Sequence, residues 1–226
     1  MPKIIYKQQH VGDNGRKFSA SRNSHYVKYI GEREHVLKSS HETNLVKYMG
    51  EREHAAKFDN ADHTIDYDIT GKHAADNMAE YNNGLFGYIN GKFSDKYSTS
   101  EMQKYVRKIS TPHRNVFHSV FSFTPESAVE AGLNTLDDWE NWVKYHISDI
   151  ANCMNMKIEN IEYLAAVHLK EGQPHVHIIW WDKQQQVLIN KVDPIVCDNI
   201  RIAAIKSTYH DQFVALHNNE DKLIRK

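Results

Sequence analysis

The chain is expected to form an α+β domain, a largely antiparallel central sheet with helices packed on it. Three observations carry this expectation. Asn115 to Thr124, Ile161 to Leu169 and Val176 to Trp181 are apolar runs rich in aromatic and β-branched residues, the composition of buried strands. The last two are separated by Lys-Glu-Gly-Gln-Pro, which supplies turn residues, so they should pair as a hairpin. Strand and helix patterns alternate in the order strand, helix, strand, helix, hairpin, strand, helix, which favours an antiparallel sheet over a parallel one.

The first element is a strand at Lys3 to Gln9, followed by a Gly-Asp-Asn-Gly turn at residues 12 to 15. Next comes a duplication. Val27-Lys28-Tyr29-Ile30-Gly31-Glu32-Arg33-Glu34-His35 recurs, with one conservative change, as Val46-Lys47-Tyr48-Met49-Gly50-Glu51-Arg52-Glu53-His54. Two copies are too few for a solenoid and read as two short helices, each ended or bent near its glycine. Tyr29 and Tyr48 are shared between copies and read as structural. Tyr26 is a tyrosine where the sister copy has the core-like Leu45, so it asks for another explanation.

Residues 58 to 97 are polar and rich in Gly and Asn, and are expected to be irregular and surface-lying, with one alternating strand at 63 to 69. A helix starts at Ser98 with a Ser98-x-x-Glu101 capping box and runs to about Ser110. After the strand at 115 to 124, Thr124-Pro125-Glu126 opens a short helix that Gly132 closes. Thr135 to Met156 is a longer amphipathic helix whose Trp139, Trp142, Tyr145 and Ile150 read as core. The hairpin, a short strand at 187 to 191 and a helix from about Pro194 to His217 complete the pattern. The closing Asn-Asn-Glu-Asp-Lys-Leu-Ile-Arg-Lys is charged and uncapped, which suggests a chain that continues beyond it.

Composition bounds the function. With 226 residues and 40% hydrophobic content the chain can bury one sizeable core, so a single domain is expected over 1–226. Within it, 1–57 is an N-terminal segment, 58–97 the irregular region, and 98–226 the part carrying the hairpin 161–182 and the C-terminal helix. Its two cysteines, Cys153 and Cys197, lack metal-type spacing and suit a reducing cytosol. No run approaches the ~20 apolar residues that span a bilayer, and the first ten residues lack an apolar leader, so a soluble cytoplasmic protein is expected. Net charge is −1, but it is unevenly spread. Residues 1 to 57 and 92 to 114 are basic, while acid gathers in 59 to 80 and 126 to 162, which allows a basic face on a neutral protein.

The hairpin holds the chemistry. On a strand, side chains two apart share a face, so His175 and His177 point one way while Val176 and Ile178 point the other. A lone His-x-His pair on a strand is usually packing or surface. His168, at the end of the preceding strand, lies across the turn from that pair, and three convergent imidazoles are a facial ligand set with open positions for water or substrate. Such a site needs a cover, and the segment bearing Tyr26 is the candidate to supply it.

His168-x6-His175-x-His177, followed by an apolar strand and preceded by a tyrosine in a helical setting, resembles the relaxases, the His-hydrophobe-His endonucleases that start conjugative plasmid transfer. The Val-Lys-Tyr-Ile-Gly-Glu-Arg-Glu segment and the Pro-His-Val-His-Ile-Ile-Trp-Trp-Asp strand are most similar to the MobL relaxases of Gram-positive plasmids, and the resemblance covers nearly the whole chain. It implies a ferredoxin-like palm, a divalent ion (Mn²⁺ or Mg²⁺, with Zn²⁺ as an alternative) on His168, His175 and His177, and a tyrosine nucleophile that cuts one strand and stays on the DNA 5′ end. It further implies single-stranded DNA and a hairpin at an origin of transfer as substrate, with accessory relaxosome proteins and a coupling protein as partners. By this resemblance Tyr26 is the nucleophile, with Tyr29 and His25 as rivals. Glu171 and Asp182 are candidates for a base or for support of the metal ligands, and Arg22, Lys28 and Arg33 for phosphate contacts. Many relaxases carry an acid soon after the first metal histidine; here Leu169 and Lys170 fill the next two places.

Three other readings fit the same residues. A rolling-circle replication initiator would share the chemistry and lead into replication rather than transfer. A zinc-dependent small-molecule hydrolase would need a carboxylate at the metal and no role for Tyr26. A domain that binds DNA hairpins without cutting would need neither.

Overall fold

The computed structural model describes residues 4–11, 17–32, 36, 84–110, 115–170, 173–184, 192–211 and 214. Its centre is the predicted hairpin, β5 (Ile161–Lys170) and β6 (Gln173–Asp182), paired antiparallel from Ile161 opposite Asp182 to Lys170 opposite Gln173. β4 (Val116–Phe123) lies on the free side of β6, and β1 (Ile4–Val11) on β4. On the other side β5 pairs with β2 (Phe86–Ile89), which turns back into β3 (Lys92–Ser94). Among the described residues this gives a six-stranded sheet in the order β1-β4-β6-β5-β2-β3 with every pairing antiparallel. The hairpin sits in the middle, where its apolar content on both faces can be covered.

Alternation along the strands sorts two cores. Phe117, Phe121, Phe123, Val176, Ile178 and Trp180 face one side, beneath α3 (Pro125–Glu130), α4 (Leu136–Cys153) and α5 (Pro194–Thr208). Val116, Leu164, Ala166, Ile179 and Trp181 face the other, beneath α1 (Lys17–Glu32) and α2 (Thr99–Ile109). On α4 the buried residues Trp139, Trp142, Val143, His146, Ile147 and Ile150 follow the i, i+3, i+4, i+7 stripe of a helix on a sheet. Tyr145 falls off that stripe and is 62% exposed, so the expectation of a core residue there is corrected.

Caps explain the helix starts. Thr135 and Asp138 form a reciprocal capping box at α4, and the Thr124 hydroxyl accepts from the Ser127 amide at α3, where Pro125 takes the first position. At α2 the expected capping box does not form: the Ser98 side chain makes no bond to the helix amides and lies 3.2 Å from the Ser100 hydroxyl.

The expectation of irregular surface from 58 to 97 fails at its end. Residues 86 to 94 are a β-hairpin on the sheet edge, and Leu85 and Phe86 are buried. The signal is Asn90-Gly91, both at positive φ (54° and 77°), the two-residue turn that favours a right-twisted hairpin. Gly87 is required there, since a Cβ would come within about 2.1 Å of the Tyr163 carbonyl on β5. The strands expected at 63 to 69 and 187 to 191, the turn at 12 to 15 and the second copy of the duplication lie outside the described residues. Val27 to Glu32 of the first copy form the end of α1. Its Gly31 lies against Leu85, where a Cβ would meet the side chain at 2.9 Å, so the glycine lets the helix end settle on the sheet.

Candidate metal centre

Three imidazoles meet on the α1 side of the central hairpin. His168 stands opposite His175 in the β5–β6 register, and His177 stands opposite the small Ala166, so all three share a face. Their ring centroids are 4.7 to 5.2 Å apart, and one nitrogen from each lies within 4.8 Å of the others. His168 and His177 are buried and His175 is half-buried, which leaves the cluster one open side.

Carbonyl partners fix two of the rings. A carbonyl oxygen can only accept, so His168 Nε2–H donates to Ile30 O at 2.9 Å and His175 Nδ1–H donates to Gln173 O at 2.7 Å. The remaining nitrogens, Nδ1 of His168 and Nε2 of His175, carry the lone pairs. Nitrogens on a common cation lie roughly 3–3.5 Å apart, so ring rotations of about an ångström would bring this set onto one ion. Three neutral imidazoles with hydrogen-bonded outer nitrogens fit a divalent ion. They leave its charge undiminished, whereas carboxylates would neutralise it.

α1 closes over the cluster. Val27 and Ile30 are buried against the sheet, the Ile30 carbonyl holds His168, and Val36 bridges to His168 just beyond the helix. This brings Tyr26 to the site, its Oη 2.8 Å from His177 Nδ1. On its other side Tyr26 lies flat against His118 of β4, with centroids 3.9 Å apart and planes 8° from parallel. Burial pushes the Tyr26 phenol up to about 12. Tyr29, one turn on, stacks on Tyr26 at 5.6 Å and has its centroid 5.9 Å from that of His177, yet it is 42% exposed.

The other candidates divide. His25 is exposed and its Nδ1–H turns back to the Ser21 carbonyl at 2.7 Å. Arg22 and Lys28 are exposed on the outer side of α1, Lys28 within 3.8 Å of Glu32. Asp182 is buried at the far end of β6, where it accepts from the Gln184 amide. Five residues from His177 correspond to about 16 Å of strand, so the fold does not bring Asp182 to the imidazoles. Glu171 and Arg33 lie outside the described residues. His118 is the residue that sequence reasoning missed. Its signal, a lone histidine among Val116-Phe117 and Ser119-Val120-Phe121, becomes legible only once β4 is known to neighbour β6.

A family model described as MobL relaxases matches residues 1–213. The chain belongs to the MobL relaxases. Comparison with curated proteins and with solved structures gives no match. Membership in a relaxase family means a plasmid DNA-nicking enzyme that works on single-stranded DNA, and relaxases generally use a divalent metal. The resemblance read from the hairpin and from the Tyr-Ile-Gly-Glu-Arg-Glu segment is thus borne out at the level of the family. Among the described residues, no helix of this relaxase is long and apolar enough to cross a membrane.

Proposed function

We propose that this relaxase cuts and rejoins one DNA strand at a plasmid origin of transfer, with Tyr26 as nucleophile beside a divalent ion held by His168, His175 and His177. The observation that carries the reading is the 2.8 Å contact between Tyr26 Oη and His177 Nδ1, which joins the nucleophile directly to the ligand set. The strand order β1-β4-β6-β5, in which β4 and β5 bracket β6 and β1 completes the edge, supports a ferredoxin-like palm in permuted chain order.

Bound Mn²⁺ or Mg²⁺ would polarise the scissile phosphate and stabilise the charge that grows on it. His177 cannot both ligate through Nε2 and take a proton at Nδ1. As a ligand it carries the proton on Nδ1 and donates to Tyr26 Oη, favouring the phenolate that burial alone disfavours. The stacks of the phenol ring on His118 and on Tyr29 restrict its rotation and hold Oη beside His177. In the reaction the Tyr26 Oη–P bond forms and the P–O3′ bond breaks. The 5′ phosphate remains on the protein, the tyrosine proton passes to solvent, and the 3′ oxygen takes up a proton from solvent as it leaves as a hydroxyl. The phosphotyrosine keeps the energy of the diester, so a 3′-hydroxyl can reverse the step and reseal the strand.

The substrate is single-stranded DNA next to an origin hairpin, the working partners are accessory relaxosome proteins and a coupling protein, and the setting is the cytoplasm. A rolling-circle initiator would use the same chemistry, and a replication assay on the same strand separates the two. Among the described residues no carboxylate joins the three histidines, so none of them supplies the base that a zinc hydrolase needs.

Denaturing electrophoresis of the protein with labelled single strands from its own plasmid tests the reading. A metal-dependent covalent adduct is expected from the wild type and is expected to vanish in Tyr26→Phe while persisting in Tyr29→Phe. An adduct that survives Tyr26→Phe moves the nucleophile to Tyr29 or His25; no adduct with any strand overturns the nicking reading.

A further inference from the structure

The α2 helix carries a feature that the metal centre does not use. Its Thr99, Val106 and Ile109 are buried against the sheet and α1, while Lys104, Arg107 and Lys108 are exposed. Spacings of three and four put those three cations on one stripe, away from the packed face. The orientation of the helix is fixed. Tyr105 Oη donates to the buried Glu162 carboxylate at 3.4 Å, and Gln103 Nε2 donates to the Ser24 carbonyl of α1 at 3.2 Å. Asn23 Nδ2 donates to the Ser110 hydroxyl at 3.0 Å. α2 is therefore clamped to the helix that carries Tyr26, at the segment just before it.

The charge is specific to this side of the sheet. α1 and α2 together hold six Lys or Arg and two Glu, whereas α3, α4 and α5 on the opposite side hold three Lys or Arg and seven Asp or Glu. A randomly solvated surface has no reason to divide in this way across one sheet, and the positive half is the half that contains the nucleophile.

We propose that Lys104, Arg107 and Lys108 form a track for the phosphodiester backbone of the single strand that flanks the bond at Tyr26. This rests on the nicking reading and adds to it the path of the DNA. Contacts of this kind bind backbone charge, position the strand and read no sequence. Each phosphate neutralised on a single strand contributes about −0.7 to the slope of log affinity against log salt, so three contacts contribute about −2.

The test uses the full chain carrying Tyr26→Phe, so that binding is read without cleavage, and a labelled single strand from its own plasmid, by fluorescence anisotropy over a salt series. Adding Lys104→Gln, Arg107→Gln and Lys108→Gln is expected to weaken binding about tenfold or more near physiological salt and to flatten the slope by about 2. Arg201→Gln with Lys206→Gln on α5 serves as the control and is expected to change neither. The melting temperature of each variant checks the fold, which these exposed positions should leave intact. Unchanged affinity and slope in the triple variant, while a version with Tyr26 restored still forms the adduct, overturn the track and leave the nicking reading standing. A loss seen only with a duplex hairpin probe also overturns it. If the wild type forms no adduct with any strand, the nicking reading and the track fall together.

Discussion

The two faces of the central sheet are made by the same strands and do opposite work. On β6, Val176, Ile178 and Trp180 enter a close-packed aromatic core with Phe117, Phe121 and Phe123, under helices whose charge is mostly negative. One residue out of step, His175, His177, Ile179 and Trp181 face α1 and α2, where the hydrophobic cluster is smaller and gives way at one end to imidazoles, Tyr26 and basic helices. The period of two lets one strand anchor the fold and carry the candidate metal ligands without compromise between them. The near-zero net charge, which looks unsuited to a DNA enzyme, is compatible with this division, because among the described helices the positive excess of α1 and α2 and the negative excess of α3, α4 and α5 cancel in the sum and not in space.

If the division is real, substitutions on the two faces should fail in different ways. Trp139→Ala, from the fully buried core of the α4 face, is expected to cost about 3–5 kcal/mol in urea unfolding while leaving adduct formation per folded molecule unchanged. Its mirror is His175→Ala on the half-buried rim of the imidazole cluster. That change should remove several kcal/mol of transition-state stabilisation, roughly a thousandfold in adduct rate, with little effect on the unfolding midpoint. A His175→Ala protein that loses stability and keeps activity would break the comparison outright.

His118 sharpens it, because it belongs to the same face as the histidines yet reaches the site through the Tyr26 ring. An aromatic stack is worth about 0.5–1.5 kcal/mol, so His118→Ala should slow the single-turnover adduct rate by roughly three- to tenfold at saturating DNA, with strand affinity unchanged. His118→Phe preserves the stack and should restore most of the rate. Equal rates in wild type and His118→Ala would remove the positioning role, and a Phe variant as slow as the Ala variant would transfer that role to the imidazole nitrogens.

Much of this architecture is legible in the sequence where the signal is local. His175 and His177 announce a shared face by their spacing, His168 is set by a short turn, and α3 and α4 begin where Thr124-Pro125 and Thr135 say they should. Tyr26 stands out because its duplicate position holds Leu45. Asn90-Gly91 is equally local, but the polar run before it outweighs it and hides the edge hairpin. Tyr145 reads as core only while its angle on the helix is left unmeasured against Trp139 and Trp142, which set the buried stripe. His118 and the distant position of Asp182 cannot be read at all. Both depend on which strands become neighbours, and that is decided by long-range packing rather than by any short pattern.

The smallest expected effect concerns the seam between α4 and the edge hairpin. Glu140 is buried on α4, and desolvation raises its carboxyl from the usual range to about 7, opposed by the Lys144 ammonium at 3.8 Å. Lys144 also lies over the Phe93 ring of β3 at 3.6 Å, so it is held between the two elements. Because the folded carboxyl binds its proton more tightly than the unfolded one, the folded state holds the extra proton between about pH 4.5 and 7. Stability should therefore fall as pH rises through that window and level off above it. The Lys144 ammonium, which opposes the shift, limits the size of the effect. Glu140→Gln removes the titration, so urea midpoints at pH 5 and pH 8 should lie closer together in the variant than in the wild type. An unaltered gap would mean that the pH dependence of the α4 face originates elsewhere, in a group that Glu140 does not touch.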